Sequence, residues 1–192
     1  ITSVTMPDTI KEIQDYAFSS NRKLTSVKLS ENLQVIGSNA FFNCRSLKSI
    51  ELPASIKSVD VYAFSAAGFE TVTIPESTTF TTLDQFVFYQ CQDLKEVVLP
   101  ATMTNIAENT FADCPNEITI KAPSGSYGLS YAKNNNFKFE EKTNKEILTT
   151  NTLFLIKENG KYGYENKNGE RIVDCIYDDA KEAIPFDSLP DT

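Results

Sequence analysis

A repeat of about twenty-three residues runs through the first two-thirds of the chain. The second copy shows it most clearly, as Leu24-x-x-Val27-x-Leu29, then Leu33-x-x-Ile36, then Ala40-Phe41-x-x-Cys44. The same template fits four more segments, which begin at Ile1, Leu47, Phe69 and Leu94. A repeat of this length that stays in phase indicates a solenoid, in which each copy stacks on the next and only the stack buries a core.

Each copy contains an apolar pair at strand spacing, such as Val27 and Leu29. Residues two apart lie on the same side of a pleated strand, so Ser26 and Lys28 face the other way. Proline follows the pair in four copies, at positions 7, 53, 75 and 100, and it cannot donate to a ladder that is flanked on both sides. The repeat therefore predicts one short strand per copy in a parallel array.

The second half of each copy changes to spacings of three and four, which predict a turn followed by one helical or 3₁₀ turn. A turn this short is not stable alone, so stacking must hold it. Parallel coils lie ~4.8 Å apart, which would stack the phenylalanines of one repeat position into a ladder. These are Phe18, Phe41, Phe64, Phe88 and Phe111.

Three cysteines share a second repeat position: Cys44, Cys91 and Cys114. Buried cysteine behaves as a small apolar residue, so a packing ladder is the first interpretation. Only Cys91 and Cys114 lie in adjacent copies, at a spacing that also permits a disulfide. The sequence leaves open whether they are bridged.

The repeat decays after Cys114, and the chain then divides into three parts. Residues 118–139 predict a cap, with a strand at Ile118 and Ile120, a short helix near Tyr127–Lys133 and a strand through Phe137 and Phe139, which would complete a solenoid domain over 1–141. Residues 142–151 are polar and are interpreted as a linker. Residues 152–192 hold three strand-like segments separated by Asn159-Gly160 and Asn168-Gly169, which predict a small antiparallel β meander, incomplete in this chain.

Composition narrows the function further. The net charge is −8 and the pI is near 4.7, with basic residues scattered singly, so we expect no nucleic-acid partner. Histidine and tryptophan are absent, which removes the commonest general acid/base, and no metal or cofactor motif is found, so we expect no enzyme. No apolar run is long enough to insert in a membrane. The chain starts at Ile1, in mid-repeat, so a signal or anchor is expected to have been trimmed away.

Two surfaces are candidates for ligand binding. The outward side of the strands carries a mixed-charge set: Lys28, Lys48, Glu51, Glu70, Thr73, Lys95 and Glu96. The opposite side carries an aromatic set: Tyr16, Tyr62, Phe86 and Tyr89. A recognition face is typical of solenoids, and aromatic anchors dominate many interfaces. The alternatives are a solvated sheet that simply favours strand formers and aromatic rings that lean over neighbouring coils to cover the core.

The template L-x-x-V-x-L-P-x-x-L-x-x-I-x-x-x-A-F-x-x-C resembles the bacterial leucine-rich repeats of the BspA type, also called the Treponema pallidum type, over roughly residues 1–140. This resemblance implies an α/β leucine-rich-repeat solenoid, a right-handed coil of short parallel strands and short helical turns. It also implies a secreted or cell-surface bacterial protein that adheres to other proteins, with no shared catalytic residues. Separately, the segment from Gly160 to Val173, followed by Tyr177-Asp-Asp-Ala, resembles one unit of the WG repeat, with Tyr162 in place of the name-giving tryptophan.

These observations favour a non-catalytic adhesion module outside the cell that binds a protein, with a host extracellular protein as the candidate partner. The alternatives are a structural spacer or self-assembly segment of a larger surface protein, and a glycan-binding module. The oligomeric state, the missing repeats, the role of the WG-like segment and the identity of the ligand do not follow from the sequence.

Overall fold

The computed structural model describes residues 1–142 with their side chains, and beyond them the backbone of three strands at 153–158, 161–166 and 171–177. The chain divides into two units, Ile1–Glu141 and Lys142–Thr192. The first unit contains short strands and one helix.

In chain order the first unit contains β1 (Ser3–Thr5), β2 (Glu12–Ile13), β3 (Ser26–Lys28), β4 (Val35–Ile36), β5 (Ser58–Val59), β6 (Thr71–Thr73), β7 (Thr82–Leu83), β8 (Glu96–Val98), β9 (Asn105–Ile106), β10 (Thr119–Pro123), α1 (Tyr127–Asn134) and β11 (Lys138–Lys142). The fold is a parallel β-solenoid of about six turns with little helix.

The strands that contain the first residue of each apolar pair build one side of the solenoid, which we call the strand face. There β1 pairs in parallel with β3, with Ser3 opposite Ser26. Farther along, β8 lies between β6 and β10, with Thr71 and Thr119 both opposite Glu96. This register places corresponding positions of successive copies directly above each other.

The prediction of one strand in every copy is wrong for the third. Residues 49–51 form no strand, so the strand face is divided into a β1-β3 pair and a four-stranded sheet of order β11-β10-β8-β6. Ser49-Ile50-Glu51 alternates as Ser26-Val27-Lys28 does, so the interruption arises from how the coils meet and not from local propensity.

The sequence analysis missed a second, two-residue strand in each copy. These strands pair in parallel as β2-β4-β5 and as β7-β9. Their inward residues, such as Ile13, Ile36 and Ile106, are buried. Two residues are too few to show a period, which is why the spacing Leu33-x-x-Ile36 did not reveal them.

The predicted helical turns are also not what the structure contains. The first four copies instead make successive turns in which two residues, four apart, have a left-handed backbone, such as Tyr62 (φ 59) and Ala66 (φ 53), and the fifth has Asp113 alone (φ 55). Between them, alternate amides bond to the next coil: Phe64 N to Val87 O at 3.0 Å and Ala66 N to Tyr89 O at 2.7 Å. A helix would use these amides internally, so bonding between coils replaces helical bonding.

The five ladder phenylalanines stack along the core. Successive ring centroids lie 5.2, 5.5, 5.6 and 5.6 Å apart from Phe18 to Phe111, and the interplanar angles do not exceed 18°. The ladder ends where Phe137 meets Phe111 edge-on at 6.1 Å. Stacked aromatic rings bury much apolar area at a favourable geometry, so this column joins neighbouring coils.

Helix α1 covers the last coil. Its N-cap is Ser126, whose side chain accepts a hydrogen bond from Leu129 N at 3.3 Å, and the helix buries Leu129, Tyr131 and Ala132. Gly128 lies so close to the solenoid that an added Cβ would be 2.9 Å from a methyl carbon of Leu99. Burial raises the pKa of Tyr131 to about 12.

In the second unit, β12 (Leu153–Glu158) pairs antiparallel with β13 (Lys161–Asn166), which pairs antiparallel with β14 (Arg171–Tyr177). The Asn-Gly turns, most of the expected linker and residues 178–192 lie outside the described residues. The complete β module and its likeness to a WG repeat stay predictions.

Candidate binding surfaces

Charged residues predicted for the strand face neutralise one another along the coils. Glu70 accepts from Lys95 Nζ at 2.8 Å and lies 3.8 Å from Lys48 Nζ, which also contacts Asp93 at 2.6 Å. The hydrogen bond from Lys95 lowers the pKa of Glu70, and the bond to Asp93 raises the pKa of Lys48. Exposed pairs of this kind stabilise little, so the network chiefly leaves this part of the face with little net charge.

A second ion-pair network involves Glu96 of the predicted set. Lys121 on β10 lies 3.4 Å from Glu96 and 3.0 Å from Glu140 on β11. Hydrogen bonds to Glu140 and Glu96 raise the pKa of Lys121. Glu96 is therefore linked through Lys121 to Glu140 on β11.

Lys28 and Glu51 belong to neither ion-pair network and lie where the strand face is interrupted. Both side chains are exposed and neither makes an ion pair within residues 1–142. They line a groove of about 370 Å³ between residues 25–31 and residues 49–53, which we call the strand-face groove. Because β3 has a strand neighbour on one edge alone in the described part of the chain, its other edge presents unpaired peptide groups here.

Thr73 is an exposed residue of β6 opposite Val98. It lies on the four-stranded part of the strand face, apart from the groove. The seven predicted strand-face residues therefore separate into two ion-pair networks, the groove pair and Thr73.

Three of the four residues of the predicted aromatic set form a cluster. Tyr62 stacks on Phe86 with centroids 5.0 Å apart, and Tyr89 meets both edge-on at 6.0 and 5.6 Å. Tyr16 does not join them, since its column has Asn39 in the next copy, and it is 63% exposed. Tyr62, Phe86 and Tyr89 are half-buried, so they partly cover the coils, and the Asp113 carboxylate beside its hydroxyl raises the pKa of Tyr89.

The three ladder cysteines are free thiols. Each thiol donates to the carbonyl of the ladder phenylalanine one copy earlier: Cys44 to Phe18 at 3.2 Å, Cys91 to Phe64 at 3.3 Å and Cys114 to Phe88 at 3.0 Å. Burial raises the pKa of Cys44 to about 11. These thiols thus satisfy carbonyls inside the stack, a role the sequence analysis did not foresee.

The sequence analysis also missed a pocket of about 440 Å³ at the end of the third copy, bounded by Arg45, Ala66 and Gln92 among others. Its signal in the sequence is the shortened stretch between Phe64 and Phe69, which is one residue shorter than the corresponding stretches of the second and fourth copies. The deletion was visible, but only the structure shows that it opens a cavity.

Comparison with known families agrees with this geometry. The description "BspA type Leucine rich repeat region" matches residues 1–118 and 66–159, with six copies. The chain belongs to the BspA-type leucine-rich repeat family. The five-copy template undercounts, since β10 continues the strand face beyond the fifth copy.

Among solved structures, this BspA-type chain is similar to a leucine-rich cell surface protein from Faecalibacterium prausnitzii A2-165, with 27% identity, a TM-score of 0.57, and coverage of 66% of this chain and 33% of that one. It is also similar to the T. pallidum leucine-rich repeat protein, with 20% identity, a TM-score of 0.51 and 72% of both chains covered. The pneumococcal vaccine antigen PcpA matches with 19% identity and a TM-score of 0.60 over 74% of this chain and 36% of that one.

The BspA-type chain thus spans about one third of the length of the F. prausnitzii protein. No curated protein matches it significantly. Within the described residues, no helix has the length and apolar character needed to cross a membrane. Family and neighbours indicate a surface or protein-interaction module.

Proposed function

We propose that this BspA-type chain is a non-catalytic adhesion module of a secreted or surface-attached bacterial protein, and that it binds a protein partner through the strand face. The supporting observation is the strand-face groove. It combines unpaired backbone with Lys28 and Glu51, two charges of opposite sign that make no ion pair within residues 1–142.

This combination suits an extended segment of a partner protein. An unpaired strand edge binds such a segment through main-chain hydrogen bonds, and side chains along the edge select the sequence. The rest of the strand face would contribute a broad, nearly neutral contact area around the groove, because its charges already pair with each other. Solenoids use extended surfaces of this kind for binding.

The test starts with a pull-down from host extracellular material, followed by surface plasmon resonance on the recovered protein. Lys28→Glu, Glu51→Lys and Lys95→Glu together should abolish the signal, because the first two reverse the groove charges and the third breaks the pair with Glu70. Lys11→Glu, Glu12→Lys and Lys23→Glu, which change exposed charges away from the groove, serve as the matched control. Binding that survives the first triple variant would contradict the proposal.

Light scattering in the same buffers separates adhesion from self-assembly. A chain that acts as a spacer or assembly segment would associate with itself as its concentration rises and would recover no foreign protein. A chain that acts as proposed gives partner binding with a mass that does not depend on its own concentration.

A further inference from the structure

The third copy has alanine or glycine at positions where its neighbours carry larger side chains. Ala66 stands where the second and fourth copies have Asn43 and Gln90, Ala67 where they have Cys44 and Cys91, and Gly68 where they have Arg45 and Gln92. The position after Gly68, occupied by Ser46 and Asp93 in the neighbours, is missing. Four successive positions of one coil are therefore reduced or deleted.

The reduction opens the pocket of about 440 Å³. Arg45 and Gln92 belong to coils on either side of the third copy, two coil spacings or ~10 Å apart. Gly68 lies between them without a side chain. The volume falls in the range of small-molecule sites, ~300–1,000 Å³.

The floor of this pocket is fixed by backbone contacts. Gly68 N donates to Cys44 O at 3.2 Å, and Ala66 N donates to Tyr89 O at 2.7 Å. A Cβ on Gly68 would lie 2.0 Å from the backbone oxygen of Arg45. The floor is therefore held to both neighbouring coils, and the glycine is required by this close approach.

The polar side chains around the pocket are each held by a partner outside it. Arg45 Nε donates to Asn43 Oδ1 at 2.8 Å, and Asn43 itself is buried. Asp93 accepts from Lys48 Nζ at 2.6 Å. The side-chain amide of Gln90 donates to the Tyr89 hydroxyl at 3.1 Å, and that of Gln92 donates to the Asp113 carbonyl. Such anchoring reduces the entropy that a ligand would have to overcome.

The polar atoms around the pocket that have no protein partner within the described residues indicate the class of ligand. Within residues 1–142, no protein group bonds the terminal guanidinium nitrogens of Arg45, the amide oxygens of Gln90 and Gln92, or the second carboxylate oxygen of Asp93. One donor fork and three acceptors match a set of hydroxyls, because each hydroxyl both donates and accepts. An anion would face three oxygen atoms, so this arrangement favours a neutral ligand.

We propose that this pocket binds a neutral hexose residue of a glycan. Hydroxyls of the sugar donate to the oxygens of Gln90, Gln92 and Asp93, and accept from Arg45. This site goes beyond the proposed protein-binding function and lies apart from the strand-face groove.

The probe is an array of glycans that end in glucose, galactose or mannose, printed beside sialylated counterparts and incubated with the full chain. We expect binding to at least one neutral hexose end, with competition by the free sugar. Ala66→Asn restores the side chain of the second copy, which asparagine accepts at a left-handed φ. Arg45→Gln removes the donor fork. Each should weaken binding by about ten-fold or more, as expected for loss of a charge-assisted hydrogen bond or blockage of the site.

Two matched variants control for folding. Ser20→Asn adds the same side chain at the repeat position of Ala66 in the first copy, where the backbone is also left-handed (φ 59). Arg22→Gln changes the repeat position of Arg45 one copy earlier, and neither Ser20 nor Arg22 lines the pocket. Both should bind as the wild type does. A blank array, binding to sialylated ends alone, or pocket variants that bind like the wild type would each overturn the proposal. The strand-face triple variant should leave glycan binding unchanged, so the two proposals fail independently.

Discussion

At the scale of single residues, Phe64 shows how one repeat position joins three coils. Its ring is fully buried, stacks between Phe41 and Phe88 at 5.5 and 5.6 Å, and meets Phe69 edge-on at 5.4 Å. Phe18, at the same repeat position, is half-buried and stacks on Phe41 at 5.2 Å. The same residue type therefore contributes differently according to its place in the stack.

Phe64→Ala should lower the free energy of unfolding by about 3–5 kcal/mol, because it removes buried area and leaves a cavity among three rings. Phe18→Ala, the matched change at the less buried end of the ladder, should cost clearly less. Urea denaturation followed by circular dichroism compares the two. Equal losses, or a larger loss at Phe18, would show that stacking within the ladder does not determine stability.

Cys44 provides a test by pH. Its folded pKa is about 11, against 9.0 for an ordinary thiol, because burial disfavours the thiolate. The unfolded chain therefore loses this proton at a lower pH than the folded chain does, so stability is retained below pH 9 and falls as the pH rises from 9 toward 11. The free energy of unfolding, measured at pH 8 to 10.5, should decline less steeply in Cys44→Ala than in the wild type. Parallel declines would contradict the raised pKa.

At the residue scale, the positions of the ladder and of the aromatic cluster were predictable from the sequence, whereas an ion pair between side chains was not. The ladder positions followed from residue identity at one phase of the repeat, and the aromatic cluster of Tyr62, Phe86 and Tyr89 was within the predicted set. The pairing of Lys48 with Asp93 was not foreseen, since the two residues are 45 positions apart in the chain and only the structure shows how far a lysine side chain reaches.

At the scale of elements, the turns differ most from expectation. Spacings of three and four are typical of helix, yet the coil uses left-handed residues and bonds its alternate amides to the next coil. The same apolar spacing serves both arrangements, because both bring the third and fourth residues back to the core. Backbone bonding between coils, which leaves no mark on the sequence, decides between them.

Two alanines of corresponding turn segments test this backbone assignment. Ala66 has φ 53, whereas Ala112 is not among the residues with positive φ. Ala66→Gly should therefore stabilise the protein by about 0.5–1 kcal/mol, because a Cβ is unfavourable in the left-handed region. Ala112→Gly should destabilise it by about 0.5–1 kcal/mol through backbone entropy. Changes of the same sign in the urea midpoints would contradict the assigned turns.

At the scale of the whole molecule, the first unit follows the logic of a solenoid. The phenylalanine ladder joins all five copies, and each step along it also has paired strands, a cysteine thiol bonded to the preceding coil, or both, so a surface can change in one copy while the core continues. The third copy shows this freedom, since it carries both the interrupted strand and the shortened turn without a break in the ladder. The solenoid class was predictable from periodicity and the family from the resemblance of its repeat template, whereas the groove and the pocket depend on departures from the repeat.

Hydrogen exchange of the chain with and without its recovered protein partner tests the central claim most directly. If the strand face is the binding surface, partner binding slows exchange of the amides in residues 26–28 and 49–53, where unpaired backbone is available. Protection confined to the turns that carry Tyr62, Phe86 and Tyr89, with the groove amides unchanged, would contradict the account.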